Sequence, residues 1–102
     1  MSVNDFGRYS VIDVAVDSTT VVNAPARLYG VVVNTTLSAH TLPIKDGATT
    51  VITLPASAVA GTIYMFPGIE FATSLICDPN DAATGNITVV YREGTSRSLG
   101  LA

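Results

Sequence analysis

The sequence predicts an all-β protein, an antiparallel β-sandwich of about eight or nine short strands, with the jelly roll among the forms it can take. Three observations carry this expectation. Helix formers are scarce: Thr and Val dominate, there is one Lys, there are two Glu and there is no Gln. No window sustains apolar residues at helical spacing. Short β-branched runs instead recur about every ten residues, each followed by turn formers.

The elements follow in chain order. Residues 1–8 carry no clear period and read as an N-terminal arm ending at Gly7-Arg8. Tyr9 to Val16 alternates, with Ile12, Val14 and Val16 on one face and Asp13 on the other. Asp17-Ser18 turns, Thr19 to Val22 resumes as a strand, and Asn23-Ala24-Pro25 breaks it. Ala26 to Thr35 is the strongest strand. Its faces read Leu28, Gly30, Val32, Asn34 against Arg27, Tyr29, Val31, Val33, and apolar residues on both predict a central strand covered on both sides. Thr41 to Ile44 and Thr49 to Leu54 flank Lys45-Asp46-Gly47, where Asp-Gly favours a tight hairpin. Pro55 to Gly61 reads as a small-residue connection. Thr62 to Phe66 is a strand closed by the turn dipeptide Pro67-Gly68, with Ile69 to Phe71 and Ser74 to Cys77 as short strands after it. A polar loop runs from Asp78 to Gly85, and Asn86 to Arg92 is the last strand. The sandwich domain therefore spans residues 9–92, with a Gly/Ser/Thr-rich tail over 93–102.

Composition narrows the function classes. Hydrophobic residues make up 48% and charged residues 13% of the chain, against about 25% charged in an ordinary soluble domain. So little charge predicts an exterior partly of Thr, Ser, Ala and Val and partly hidden against a partner. No run approaches the roughly 20 apolar residues of a membrane helix, so no membrane partner is expected. The net charge is −3, and Arg8, Arg27, Lys45, Arg92 and Arg97 are scattered singly. No basic stripe exists to neutralise several phosphates, which disfavours direct nucleic-acid binding. Cys77, the one cysteine, reads as a small buried hydrophobe. Met1-Ser2-Val3-Asn4-Asp5 lacks the charged and apolar regions of a secretion signal, which points to synthesis in a cytoplasm.

Catalysis needs convergent titratable groups, and the inventory is thin. His40 is the sole histidine; Ser38 and Asp46 would complete a triad only as any chain with one His permits. No Gly-x-Ser-x-Gly elbow occurs. One His and one Cys do not make a four-ligand zinc site. Asp78, Asn80 and Asp81 offer the hard oxygens that calcium takes, but without EF-hand spacing, and the same residues are ordinary turn formers. Asn34-Thr35-Thr36 and Asn86-Ile87-Thr88 match the glycosylation pattern, read as chance in so Thr-rich a chain. Tyr29, Tyr64, Phe66 and Tyr91 alternate within strands and read as core or sheet-surface residues before sugar platforms. No enzyme activity and no cofactor are expected. Phe6 and Tyr9 near one terminus, and Leu99 and Leu101 near the other, are candidate interface residues, either folding back on the sandwich or docking into a neighbour.

Four segments carry a resemblance: Ala26-Arg27-Leu28-Tyr29-Gly30-Val31-Val32-Val33-Asn34; the Lys45-Asp46-Gly47 hairpin; Pro67-Gly68-Ile69-Glu70-Phe71-Ala72-Thr73-Ser74-Leu75; and Asn86-Ile87-Thr88-Val89-Val90-Tyr91-Arg92. Over Ala26 to Arg92 the chain resembles small virion structural proteins of tailed bacteriophages. The resemblance is one of pattern and not of any catalytic signature. It implies a head decoration (cement) protein first, with a head spike base or a neck or tail component as other members of the class. A decoration protein of this kind implies a homo-oligomer, a trimer by analogy. Its partners would be the major capsid protein or other virion proteins, and its location the virion after synthesis in the host cytoplasm. The alternative reading is a host-surface or carbohydrate-binding module.

Overall fold

The computed structural model describes residues 8–94. They form eight strands and no helix: β1 Arg8–Asp13, β2 Thr19–Val22, β3 Ala26–Thr35, β4 Leu42–Asp46, β5 Thr49–Leu54, β6 Ile63–Phe71, β7 Leu75–Cys77 and β8 Asn86–Glu93. Two four-stranded sheets result, ordered β1-β8-β3-β6 and β2-β7-β4-β5. Every pairing is antiparallel.

The pairing has a simple rule. β1 pairs with β8, β2 with β7, β3 with β6 and β4 with β5. The chain is thus one long hairpin whose two arms run side by side, with β4 and β5 at its tip. Wrapping that double ribbon on itself adds the β3–β8 and β4–β7 contacts that complete each sheet. Eight strands wound in this way form a jelly roll.

Alternation drives the closure. Ile12, Ala26, Leu28, Val31, Val33, Phe71, Ile87, Val89 and Tyr91 turn inward from the first sheet, and Val22, Leu42, Ile44, Leu54, Leu75 and Cys77 from the second. Val14, Leu37, Ala58 and Ala83 plug the ends from loops. At about 1.5–3 kcal/mol for each fully buried large side chain, this cluster is the main source of stability.

The β4–β5 hairpin turns on Gly47 and Ala48, between the paired residues Asp46 and Thr49. Gly47 has φ 58° and Ala48 does not have positive φ, the pattern of a type II′ turn. Asp46 anchors the tip: its carboxylate accepts from the amides of Thr73 (2.8 Å), Ala72 (3.0 Å) and Ser74 (3.2 Å). Gly47 N–H in turn donates to Ser74 Oγ at 3.1 Å.

Three expectations need correction. The first strand runs over Arg8–Asp13, not Tyr9 to Val16, because Asp13 ends it: its Oδ1 accepts from Ala15 N–H (2.9 Å) and its carbonyl from Val16 N–H (3.0 Å). Pro67-Gly68 does not close a strand; β6 runs through it as a bulge. Leu28 pairs with Ile69 and Gly30 with Met65, so Phe66, Pro67 and Gly68 together face Tyr29. β6 is a sheet edge, where a proline removes no ladder bond. Finally, the faces of β3 switch at Tyr29, where the register against β8 also shifts, so that Leu28, Val31 and Val33 all point inward. β3 is central as expected, but among the described residues only its inner face is closed over.

Candidate functional site

The outer face of the β1-β8-β3-β6 sheet is apolar, and no other described strand lies over it. Register places two rows across all four strands. Tyr9 pairs with Val90, Val90 with Gly30 and Gly30 with Met65; beside them Val11 pairs with Thr88, Thr88 with Val32 and Val32 with Ile63. The rows span about 14 Å from β1 to β6 and lie about 7 Å apart. Exposure is high where it matters: Tyr9 71%, Val11 59%, Ile63 59%, Met65 77% and Val90 36%. Gly30, without a side chain, leaves a shallow dip between the flanking side chains of Val90 and Met65. Single exposed apolar residues need no explanation, but two contiguous rows on one sheet face do.

Polar ends frame the patch. Toward the start of β3, Arg27 lies between its register partners Arg92 and Glu70. Its guanidinium donates to Gly68 carbonyl at 2.6 Å and lies 3.6 Å from Glu70. Arg8 and Glu93 form an ion pair at 3.2 Å at the same end. At the opposite end Asn34 Nδ2 donates to Asn86 Oδ1 and Thr88 Oγ1, both at 2.8 Å, so the two glycosylation-pattern asparagines bond to each other.

Of the four interface candidates, Tyr9 lies in the patch, inside β1 and not on an arm. Phe6, Leu99 and Leu101 lie outside the described residues. Val11, Ile63, Met65 and Val90, exposed on the same face, were not singled out in the sequence. Their signal was present in the two-sided apolar strands, which predict a second covering layer without saying whose.

The residues weighed for chemistry have structural tasks. Ser38 Oγ accepts from Thr84 N–H at 3.0 Å, and Ser38 carbonyl from Ser57 N–H at 2.8 Å. The Thr73 amide, with those of Ser74 and Ala72, holds the Asp46 carboxyl below its ordinary range against an opposing effect of burial. Ser38 and Asp46 are thus bound into different loops. In the polar loop, Asp78 pairs with Lys45 at 3.2 Å, and Asn80 Oδ1 accepts from Ala82 N–H at 2.9 Å as a turn former does. Asp81 raises the Asp17 carboxyl above its ordinary value, through a shared hydrogen bond and like charge. Burial, helped by the charge of Asp78, pushes the Cys77 thiol up to about 12, which makes it inert at neutral pH.

Among the described residues, no three or more His, Cys, Asp or Glu side chains gather where they could hold a metal ion. Compared with models of protein families, with curated proteins and with solved structures, the chain matches none.

Proposed function

We propose that this chain is a non-enzymatic structural protein of a virion, a capsid decoration (cement) protein that steadies a phage head through many repeated protein–protein contacts. The observation that carries this reading is the open apolar face of the β1-β8-β3-β6 sheet, centred on Tyr9, Val11, Ile63 and Met65. The low charge of the chain and its jelly-roll wind, an architecture found in viral capsid and lectin domains, agree with it. Fold alone does not assign function, and it is the apolar face, not the wind, that supports the reading.

Magnitudes explain why repetition is needed. Covering those four side chains is worth about 1–2 kcal/mol each, or about 4–8 kcal/mol together. Association costs about 4–15 kcal/mol in lost freedom, so one patch on its own binds weakly. Copies held together present several patches at once, and each further contact becomes intramolecular. A tail or neck position would use the same physics. A carbohydrate-binding role would need exposed aromatics grouped at one loop end, and the exposed aromatic among the described residues, Tyr9, is on a sheet face.

Co-sedimentation with empty expanded phage heads tests the reading. The purified protein should pellet with heads and saturate at a fixed ratio to capsid subunits. Ile63→Lys with Met65→Lys should abolish pelleting while leaving the thermal midpoint within a few degrees. Failure of the wild-type protein to pellet with expanded heads would overturn the decoration role; undiminished pelleting of the double variant would overturn the face.

A further inference from the structure

Four strands lie at sheet edges, and three of them are interrupted. β6 carries the Pro67-Gly68 bulge; β2 has Val21 as an extra residue between the Thr20–Ile76 and Val22–Leu75 pairs; β5 has Val51 extra between Ile52–Ile44 and Thr50–Lys45. Bulges and prolines are how sheet proteins blunt edges against pairing with other chains. β1 has neither. Its register against β8 runs unbroken from Arg8–Tyr91 to Asp13–Asn86.

The free side of β1 can be read residue by residue. In an antiparallel ladder alternate residues turn their N–H and C=O toward one neighbour, and the residues between turn theirs away. Val14 N–H donates to Gly85 carbonyl at 3.0 Å, one step beyond the Asp13–Asn86 pair, so even-numbered residues of β1 face β8. The backbone groups of Tyr9 and Val11 therefore point out of the sheet edge. The same two residues carry the exposed side chains on its outer face.

We propose that β1 pairs antiparallel with β1 of a second copy across a two-fold axis at Ser10, fusing two four-stranded sheets into one of eight strands. The strand is complementary to itself. Placing Tyr9 opposite Val11 of the partner subunit pairs two outward N–H and two outward C=O groups on each side, which makes four hydrogen bonds. It also sets an aromatic beside a β-branched side chain twice over, a favourable cross-strand pair. Odd residues then oppose odd residues, so both apolar faces lie on the same side of the joined sheet. Shifting the register by two to centre on Val11 would instead set Tyr9 opposite the charged Asp13. A surface that supplies both halves of its own match fits a second copy of this chain, in an isologous contact. Joining doubles the width of the apolar face. The inference rests on the self-assembly part of the proposed function and not on its virion part.

Solution mass without any phage head tests it, so its failure is separable from failure of head binding. Light scattering should give twice the 10.6 kDa chain mass. Val11→Pro deletes one edge N–H per copy, two bonds per pair, and should weaken the dimer about thirtyfold. Tyr9→Lys with Val11→Lys, at exposed positions that leave the fold intact, sets like charges opposite each other and should give monomer. Ser10→Cys should cross-link to itself on mild oxidation with diamide, since facing residues of a non-hydrogen-bonded pair lie about 4.5 Å apart at Cα, within disulfide reach. A one-chain mass at all concentrations, a three-chain mass that the Lys variant leaves unchanged, or no Ser10→Cys cross-link in the native protein would each overturn the proposal.

Discussion

Replacing Gly68 by alanine should be among the most damaging single-methyl changes in this protein. Gly68 sits in the β6 bulge with φ 87°, and a Cβ there would lie 2.9 Å from Tyr29 Cε1 and 3.1 Å from Cζ. Two costs follow. An L-residue held at positive φ loses about 1–2 kcal/mol. Displacing a half-buried ring adds about 1–3 kcal/mol of overpacking. The sum is about 2–5 kcal/mol, a large share of the stability of a small domain. Urea unfolding followed by circular dichroism measures it. Repeating the substitution in a Tyr29→Ala background separates the two costs, because the steric part vanishes and only about 1–2 kcal/mol should remain. A loss under about 0.5 kcal/mol for Gly68→Ala, or the same loss in both backgrounds, would refute the account of the bulge.

Other predictions concern charge and the thiol. Asp46→Ala leaves the amides of residues 72–74 without their acceptor and should cost about 2 kcal/mol, read as a lower urea midpoint. Because folding lowers the Asp46 pKa, its contribution is complete above the ordinary value of 3.8 and is lost as pH falls below it; a stability–pH curve should flatten there in the Asp46→Ala variant. Asp17 behaves oppositely. Its folded pKa is raised above 3.8, so its interaction with Asp81 opposes folding at neutral pH and is relieved as pH falls through that raised value. Asp81→Asn should therefore raise the thermal midpoint at pH 7 and not at pH 2.5. Cys77, with its thiol near 12, should react with Ellman's reagent at pH 8 only as fast as the protein opens, and at full speed in 8 M urea.

Much of the fold was legible because β-branched runs and turn residues act locally. All eight strands fall on segments that the sequence marks as extended. Their partners were not legible, since pairing β1 with β8 joins residues some eighty positions apart and no local signal encodes it. Pro67-Gly68 was misread for the same reason: the dipeptide favours a turn in isolation, and only its place on an edge strand permits a bulge. A single extra residue at Tyr29 inverted the assigned faces of β3, because a one-residue shift exchanges the two sides of a strand. The candidate surface was half visible. Low charge and two-sided strands announced a second covering, and Tyr9 was singled out. Yet Val11, Ile63 and Met65 look in sequence like any buried strand residue, and only the sheet order reveals that nothing else among the described residues lies over them.

Amide hydrogen exchange at Tyr9 and Val11, followed by NMR over a hundredfold range of concentration, tests most directly the claim that this protein works by assembling through that sheet. Both N–H groups point away from β8 and have no bond to another described residue of the same copy. If β1 pairs with β1 of a second copy, both should be strongly protected in concentrated samples and lose that protection on dilution, while Ser10 and Ile12, facing β8, stay protected throughout. Rapid exchange at Tyr9 and Val11 at every concentration would contradict it.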